Sequence, residues 1–243
     1  KFGSDFPQQY LTEHKINLIN SGSNKNTTKF SISISGADRT LKLENECDPI
    51  DYSSLDADGH IVSPIFHEIS NDVFKKIKDD SNFLLVDPQG FLRQKDSKNN
   101  IILKKTDLDL SDVTAIKINP EEGQNIVSGS HDEMMLALQK KGIEYVLLTN
   151  KSNVSLLVKN RVYSLKLPNK NIHDTTGIGD IFCSAFTCTM LKEKDFLWAL
   201  CFAAGSAQAA LESNNVGLQK IPKKGMVENN ASYFYNLVDF RDL

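Results

Sequence analysis

From about residue 60 onward, short apolar runs with β-forming residues alternate with segments whose apolar residues recur at helical spacing. A chain that alternates strands and helices in this way folds into a largely parallel sheet, because each helix returns the chain across one face of the sheet. The sequence therefore predicts an α/β fold. The predicted strands are residues 60–64, 82–87, 115–119 and 143–149.

One helix between the last two of these strands has both a start and a stop signal. Ser130 and Glu133 have the spacing of a capping box, in which the hydroxyl accepts the Glu133 N–H and the carboxylate reaches back to the Ser130 N–H. An apolar face follows, and residues 140–142, which are Lys-Lys-Gly, provide a C-terminal stop. This pattern predicts a helix that begins just after Ser130.

Residues 29–35 differ from the later segments, because their apolar and polar side chains alternate with a period of two. A turn at residues 36–38 and a second strand at residues 40–43 would complete a hairpin with one wettable face. Two interpretations stay open for it, a lid that closes over a substrate or an ordinary hairpin at the edge of the fold. Another hairpin is predicted from residues 154–158 and 161–165, joined around Lys159 and Asn160.

Length and charge limit the class of protein. With 243 residues, of which 40% are hydrophobic, the chain can build a single large core and carry a small appendage. Lys and Arg total 28 and Asp and Glu total 31, without a long run of one sign, so the basic surface of a nucleic-acid-binding protein is not indicated. An anionic ligand is therefore expected to be held by local groups.

The cysteines and the longest uncharged run predict a protein of the reducing cytoplasm without a membrane segment. The four cysteines lack Cys-x-x-Cys spacing, and we expect core thiols at Cys47, Cys183, Cys188 and Cys201. The run at residues 196–211 is shorter than a bilayer span and is predicted to be a buried helix. The first residues fit neither a signal peptide nor an initiating sequence, so the chain is expected to start part-way through a longer protein.

The stretch Asp174-Thr-Thr-Gly-Ile-Gly-Asp180 leads into an apolar run and carries the most specific chemistry. Gly177 and Gly179 allow a tight turn and a close approach to a ligand, while the following helix directs unpaired N–H groups and its positive dipole end to the same point. The stretch therefore predicts an anion-binding turn. Asp180 is either a base that accepts a proton from an attacking hydroxyl or an acidic residue that caps the helix.

The whole heptad closely resembles the Asp-Thr-Thr-Gly-Ala-Gly-Asp signature of the ribokinase, or pfkB, carbohydrate kinase family, with Ile178 where alanine is usual. This resemblance implies a ribokinase-like three-layer α/β sandwich with a mainly parallel sheet, helices on both faces and a small β lid. It makes Asp180 the general base and also a substrate-binding residue. It assigns the anion hole to the backbone of Gly177, Ile178 and Gly179, and the isoleucine side chain does not disturb that role because only its amide is used.

Residues 117–122 resemble the Asn-x-x-Glu element of the same family. The resemblance implies that Asn119 and Glu122 lie near Mg²⁺ and the phosphates. A carboxylate and an amide oxygen suit this role, because Mg²⁺ prefers oxygen ligands and keeps several waters, through which the two side chains can orient it. The alternative is a turn that ends a strand, with a solvated glutamate.

Residues 86–93 are similar to the Asp-x-Asn-x-Arg segment of the family. They are most like the Asp-x-Gln-Gly-Phe-x-Arg variants of inositol-kinase-like and other archaeal-type members. The resemblance implies that Gln89 and Arg93 bind the substrate, with Arg93 bridging phosphoryl oxygens or a substrate hydroxyl. A surface arginine that caps its own strand loop is the alternative.

The predicted nucleotide contacts depart from the family pattern. Where many relatives have Thr-x-Gly-x-x-Gly, residues 149–154 keep the threonine and lose both glycines. Thr149, Asn150 and Lys151 are the predicted contacts at this point, and a solvated hairpin lysine is the alternative for Lys151. Residues 203–217 resemble the late helix and loop that cover the adenine, and the predicted polar edge of that loop is Asn214, Asn215 and Gly217.

Together, the resemblance implies transfer of the γ-phosphoryl group of ATP to a hydroxyl of a sugar or polyol, with Mg²⁺ as cofactor and a monovalent cation near Asp174. It divides the chain into a kinase core of residues 1–28 and 45–243 and a lid of residues 29–44, through which a homodimer would form. Two alternatives stay open. One is a kinase for a nucleoside or a vitamin-like alcohol, and the other is a catalytically silent nucleotide- or sugar-binding regulator, motivated by the lost glycines.

Overall fold

The structure is a computed structural model that describes residues 1–35, 38–168 and 174–243. Its strands are β1 (Lys29–Ser35), β2 (Asp38–Asn45), β3 (His60–Val62), β4 (Leu84–Val86), β5 (Arg93–Lys95), β6 (Ile101–Leu103), β7 (Ala115–Ile118), β8 (Tyr145–Asn150), β9 (Asn153–Val158), β10 (Arg161–Lys166) and β11 (Asp239–Asp242). Its helices are α1 (Gln9–Glu13), α2 (Asn71–Asp79), α3 (Gln89–Leu92), α4 (Pro120–Ile126), α5 (His131–Gln139), α6 (Ile178–Glu193), α7 (Phe196–Leu211) and α8 (Lys224–Tyr235), with a 3₁₀ helix at Gly217–Lys220.

The chain divides into two compact units. The first comprises Lys1–Asp56, Pro64–Asp80 and Pro88–Leu108. The second comprises Ala57–Ser63, Ser81–Asp87 and Asp109–Leu243. All strands of the main sheet and the glycine turn before α6 belong to the second unit.

The first unit contains the early hairpin that the period of two predicts. β1 and β2 pair antiparallel, with Phe30 opposite Leu43 and Ile32 opposite Leu41, so the apolar residues of both strands share one face. The predicted turn at Gly36 and Ala37 lies outside the described residues. The role of this hairpin as a lid, and the domain division at residues 29–44, stay predictions.

The main sheet has the strand order β11-β10-β9-β8-β7-β4-β3. β3, β4, β7 and β8 are parallel neighbours, as the alternation of strands and helices predicts, whereas β9, β10 and β11 extend the sheet in antiparallel fashion. The predicted second hairpin is confirmed, since β9 and β10 pair around Lys159 and Asn160. Both turn residues have positive φ, 48° and 62°, which matches the twist of a two-residue hairpin turn.

Helices cover both faces of the parallel strands. Leu84, Leu85 and Val86 of β4 are all fully buried, and a strand that is apolar at consecutive positions needs cover on each side. Leu85 and Leu147 belong to the cluster formed with α6, α7 and α8. On the other face, α4 and α5 contact β8. The three-layer α/β sandwich with helices on both faces is therefore confirmed.

Two helix predictions are confirmed and one cysteine prediction is wrong. The capping box of Ser130 and Glu133 starts α5, and the uncharged run at residues 196–211 forms the buried helix α7. Cys188 is exposed on α6, whereas the other three cysteines are buried. Its position lies on the opposite side of the helix from the buried Phe182 and Phe186.

Within the part of the chain that the structure describes, every helix is too short or too polar to span a membrane.

The close approach of α7 and α8 at Gly205 leads to a first prediction. A Cβ on Gly205 would lie 2.9 Å from the backbone N of Ala231 and 2.9 Å from the backbone O of Val227. Because neither backbone atom can move without shifting α8, we expect Gly205→Ala to lower the free energy of unfolding by about 1–3 kcal/mol in urea titrations.

The matched control is Gly225→Ala, which adds the same methyl group to α8. No heavy atom lies within 4 Å of a Cβ at Gly225. We expect this variant to be neutral or slightly more stable than wild type, because alanine favours a helix more than glycine does. Equal losses of stability in the two variants would contradict the packing argument.

Candidate active site

The carboxyl ends of the parallel strands lie along one edge of the main sheet, and each presents a polar residue there. Ser63 follows β3, Asp87 follows β4, Asn119 follows β7 and Thr149 lies near the end of β8. Ligands of open α/β sheets bind outside the carboxyl ends of the strands. This edge is therefore the expected position of a binding site.

The glycine turn meets this edge at the start of α6. Gly177 is the N-cap and has a φ of 78°, a left-handed conformation that glycine adopts without strain. The Ile178 N–H closes the turn by donating to Thr175 O at 3.3 Å. The N–H groups of Gly179 and Asp180 belong to the first turn of the helix and have no acceptor within it. With the positive end of the helix dipole, they suit an anion.

Asp180 stands in this first turn and its side chain is exposed. Ser63 Oγ donates a hydrogen bond to Asp180 Oδ1 at 3.0 Å. A residue from the end of β3 therefore helps to orient the carboxylate beside the anion-binding turn. A carboxylate in this place is suited to accept a proton from a hydroxyl that attacks a bound phosphoryl group.

A buried ion pair lies next to the turn. Lys117 Nζ is 2.9 Å from Asp87 Oδ2 and 4.0 Å from Glu122 Oε2, and the three side chains are 10%, 2% and 7% exposed. A Cβ on Gly179 would lie only 3.4 Å from Lys117 Nζ, so the ammonium is close to the backbone of the turn. Burial lowers the pKa of Lys117, but the carboxylates of Asp87 and Glu122 outweigh this and raise its pKa above the ordinary value. The Lys117 ammonium therefore stays charged beside the turn, as part of a cluster in which the Asp87 carboxylate also lies close, 3.7 Å from the same Cβ position.

Asn119 and Glu122 form the capping box of α4. Asn119 Oδ1 accepts the Glu122 N–H at 2.9 Å, and Glu122 Oε2 accepts the Asn119 N–H at 2.8 Å. Glu122 is 5% exposed, so the alternative of a solvated glutamate is wrong. No group of three acidic, histidine or cysteine residues in residues 1–35, 38–168 and 174–243 could hold a metal ion. The oxygen donors of this pair fit Mg²⁺ held through its waters and do not form a direct cage.

A cavity of about 610 Å³ opens at the turn, within the range of about 300–1,000 Å³ that is typical of small-molecule sites. One wall is apolar and consists of Val154, Leu167, Pro168, Phe182, Ala207 and Leu211. The remaining lining is formed by Lys117, Asn119, Thr149, Lys151, Ser152, Thr175, Ile178 and Gly179. An apolar wall next to a cationic, amide-rich end suits a ligand with a flat base and a phosphate chain.

The position expected to hold a monovalent cation near Asp174 contains a lysine ammonium. Lys220 Nζ donates to Asp174 Oδ2 at 2.6 Å, to Asp174 O at 3.1 Å and to Thr176 O at 3.1 Å. Hydrogen bonds from Lys220, together with those from Thr176, hold the pKa of Asp174 well below its ordinary value. The residues present therefore do not fit a separate cation there, which corrects that expectation.

Residues 22–224 match the family described as pfkB family carbohydrate kinase. The chain belongs to this family. Its members are phosphotransferases that use an alcohol group as acceptor, and this pfkB kinase is an enzyme of that class. A search of curated protein sequences gives no significant match.

Solved structures resemble the pfkB kinase over most of its length. A pyrophosphate-dependent myo-inositol-1 kinase, converted by mutation into a myo-inositol-3 kinase, has a TM-score of 0.70 and 20% identity, covering 88% of this chain and 75% of that one. Arabidopsis thaliana ribokinase, complexed with ribose and ATP, has a TM-score of 0.64 and 17% identity, with 86% and 70% covered. The nucleoside kinase of Methanocaldococcus jannaschii has a TM-score of 0.68 and 14% identity, with 96% and 79% covered. These likenesses show a ribokinase-like fold.

The structure of the pfkB kinase brings part of the predicted site together at one cavity. The predicted residues that line it are Asn119, Thr149, Lys151, Ile178 and Gly179. Three more are joined to these residues: Gly177 and Asp180 flank them in the turn, and Glu122 is bonded to Asn119. Some of the residues predicted to contact the metal, the nucleotide and the transferred phosphoryl group, which are far apart in the sequence, therefore lie at one cavity.

The remaining predicted nucleotide contacts do not line this cavity. Asn150 pairs with Asn153 across the β8–β9 hairpin. Asn215 Nδ2 donates to Gln219 O at 3.1 Å, within the loop that also contains the exposed Asn214 and Gly217. The nucleotide-binding role of these four residues stays a prediction.

The predicted substrate residues Gln89 and Arg93 lie in the first unit and contact each other. Arg93 Nη2 donates to Gln89 Oε1 at 2.8 Å, and Arg93 Nη1 donates to Ile65 O at 3.0 Å. The guanidinium also lies over the ring of Phe30, 5.5 Å from its centroid. Arg93 is therefore held in one orientation by three neighbours, and its role in substrate binding stays a prediction.

Sequence reasoning missed four residues of the site. Ser63 and Asp87 have a usable signal, because each is a polar residue in the last two positions of a predicted strand. Lys117 has another, since a lysine inside an otherwise apolar strand needs a buried partner. Lys220 has none, because its partner Asp174 is 46 residues away in the sequence.

Proposed function

We propose that this pfkB kinase transfers the γ-phosphoryl group of ATP to a hydroxyl of a sugar or polyol, with Asp180 as the general base. One observation carries the proposal: the exposed Asp180 carboxylate, the first-turn N–H groups of α6 and the Lys117 ammonium are gathered around a single turn. These are a base, an anion-binding backbone and a fixed cation. Phosphoryl transfer needs such groups, because the protein contributes mainly position and charge to it.

In the proposed reaction, Asp180 accepts the proton of the substrate hydroxyl while the hydroxyl oxygen attacks the γ-phosphorus. The new O–P bond forms as the bond between the γ-phosphorus and its bridging oxygen breaks, and ADP leaves. The first-turn N–H groups and the Lys117 ammonium offset the negative charge of the phosphoryl oxygens. Mg²⁺ would supply further neutralisation of the phosphates when bound, with Asn119 and Glu122 orienting its waters.

The cavity favours a nucleotide over pyrophosphate as the donor. Val154, Leu167 and Leu211 belong to an apolar wall that a purine base would cover, whereas pyrophosphate has no apolar part to bury. Thr149 and Lys151 lie at the polar part of the lining, where a phosphate chain would find donors. The ATP complex of Arabidopsis thaliana ribokinase supports the same choice, and the pyrophosphate-dependent inositol kinase makes pyrophosphate the donor to test against it.

Two further expectations accompany the proposal. The four cysteines are unpaired, as in the reducing cytoplasm, where we place the enzyme. We also assign the β1–β2 hairpin the roles of a lid and of a contact in a homodimer. Ile32 on its apolar face is 43% exposed, which leaves apolar surface for a substrate or a second subunit to cover.

An acceptor panel tests the proposed activity. Wild-type protein is incubated with ATP and Mg²⁺ and with ribose, fructose, myo-inositol, adenosine or a pyridoxine-like alcohol, and the same panel is repeated with pyrophosphate. We expect ADP release that depends on a sugar or polyol, with a product heavier by one phosphoryl group in mass spectrometry.

Other outcomes of this panel identify the alternatives. Transfer to adenosine alone would favour a nucleoside kinase, the activity named for the Methanocaldococcus jannaschii relative. ATP binding in calorimetry without ADP release for any acceptor would favour a silent regulator. Transfer from pyrophosphate alone would contradict the assignment of ATP as donor.

A further inference from the structure

Lys220 is a buried lysine whose ammonium is surrounded by oxygens of one short segment. It ends the 3₁₀ helix Gly217–Lys220, and its side chain is 2% exposed. Its acceptors are the carboxylate and the carbonyl of Asp174 and the carbonyl of Thr176. An ammonium has three N–H donors and no acceptor, so these three oxygens satisfy it completely.

The segment held by Lys220 is the one that leads into the anion-binding turn. Thr176 directly precedes Gly177, the N-cap of α6, and the Thr176 N–H donates to Asp174 Oδ1 at 2.9 Å. A single positive charge at the position of Lys220 Nζ therefore fixes two carbonyls and a carboxylate at once. Any charge-balancing cation bound by the same three oxygens would need to occupy the place of that ammonium.

We infer that Lys220 is a built-in cation that takes the place of a dissociable monovalent cation and holds residues 174–176 in the conformation that the anion-binding turn requires. The inference rests on the proposed function, because it concerns the turn that would bind the transferred phosphoryl group. Lys220 is a positioning residue, since it acts through Asp174 and Thr176 and does not line the cavity. The chemical consequence is that the kinase needs no added K⁺.

The wild-type protein provides the first test. Turnover, ATP affinity and melting temperature are measured in KCl, NH₄Cl, NaCl and choline chloride at equal ionic strength, so that screening of surface charges is the same. We expect the three quantities to be independent of the cation. Activation or stabilisation by K⁺ or NH₄⁺ over choline in the wild type would overturn the inference.

The second test removes the built-in charge. In choline chloride, Lys220→Ala is expected to weaken ATP binding about tenfold, the effect of losing charge-assisted hydrogen bonds worth roughly 1.5 kcal/mol. It is also expected to lower the melting temperature by roughly 5 °C. K⁺ or NH₄⁺ should restore a large part of both losses, because the vacated space is lined by the same three oxygens, whereas choline is too large to enter it.

Lys223→Ala is the matched control, because Lys223 is exposed and makes no cap bond with its side chain. It should behave like the wild type in every salt. Losses in Lys220→Ala that neither K⁺ nor NH₄⁺ reverses would overturn the inference. Melting temperature does not depend on catalysis or on ATP, so this measurement decides the role of Lys220 even if the acceptor panel shows no kinase activity. If Lys220→Ala does not fold, the cation series on the wild-type protein still decides that role.

Discussion

Asp180→Asn is expected to lower turnover by about 10²-fold or more while ATP affinity stays close to that of the wild type. Asparagine has the size of aspartate and can still accept the hydrogen bond from Ser63, so the change removes the negative charge and the capacity to take a proton but keeps the local geometry. The turn, the Lys117 ammonium and the cavity are untouched. ADP release with the best acceptor measures turnover, and calorimetry measures the affinity for ATP.

The control for this prediction is Ser63→Ala, which keeps the carboxylate and removes its hydrogen bond. It should lower turnover much less than Asp180→Asn, because an exposed base that is less well oriented still accepts protons. Near wild-type turnover in Asp180→Asn would contradict the assignment of the base. A parallel loss of ATP affinity would indicate that Asp180 supports the anion-binding turn itself, which it does not do as the N-cap, because Gly177 holds that position.

Lys117→Met is expected to lower the free energy of unfolding by about 3–5 kcal/mol, because it leaves the buried carboxylate of Asp87 without its cation. The Asp87 side chain is 2% exposed, so water cannot replace the ammonium. Glu122, at 4.0 Å from Lys117 Nζ, loses the same positive neighbour. Guanidinium titrations with a fitted midpoint and slope measure the change.

A double-mutant cycle separates the pair from general loss of packing. Asp87→Asn removes the charge that Lys117 neutralises, so Asp87→Asn/Lys117→Met should be more stable than the sum of the two single changes predicts. If the losses in the free energy of unfolding were additive, the interaction between Lys117 and Asp87 would not contribute to stability. Because Lys117 also lines the cavity, Lys117→Met should weaken ATP binding as well, and Asp87→Asn alone should do so less.

The main elements of the fold follow from local sequence signals. The four parallel strands lie within two residues of their predicted bounds, because each is a short apolar run bounded by turn residues. The capping box at Ser130 involves partners three residues apart, so the start of α5 is visible in the sequence. Cys188 is the exception, since small differences in helix phase decide whether a cysteine in an apolar helix is buried.

Part of the candidate site could also be predicted from the sequence. The heptad contains both the turn and its carboxylate, but α6 begins at Ile178, two residues before Asp180, where the sequence placed the helix start. The capping bonds of Asn119 and Glu122 and the burial of Glu122 are seen only in the folded chain, and the role of both residues near Mg²⁺ stays a prediction. Asn150, Asn214, Asn215 and Gly217 do not line the cavity, and their nucleotide-binding role stays a prediction.

The sequence of this pfkB kinase by itself specifies its strands and helices, the left-handed Gly177 and the carboxylate of Asp180 three residues later. Each of these features depends on residues that are close along the chain. Packing specifies which charges meet. Lys117 reaches Asp87 because β4 and β7 are parallel neighbours, and Lys220 reaches Asp174 because the 3₁₀ helix returns to the start of the turn. These pairs are 30 and 46 residues apart, and no periodicity of the sequence encodes such distances.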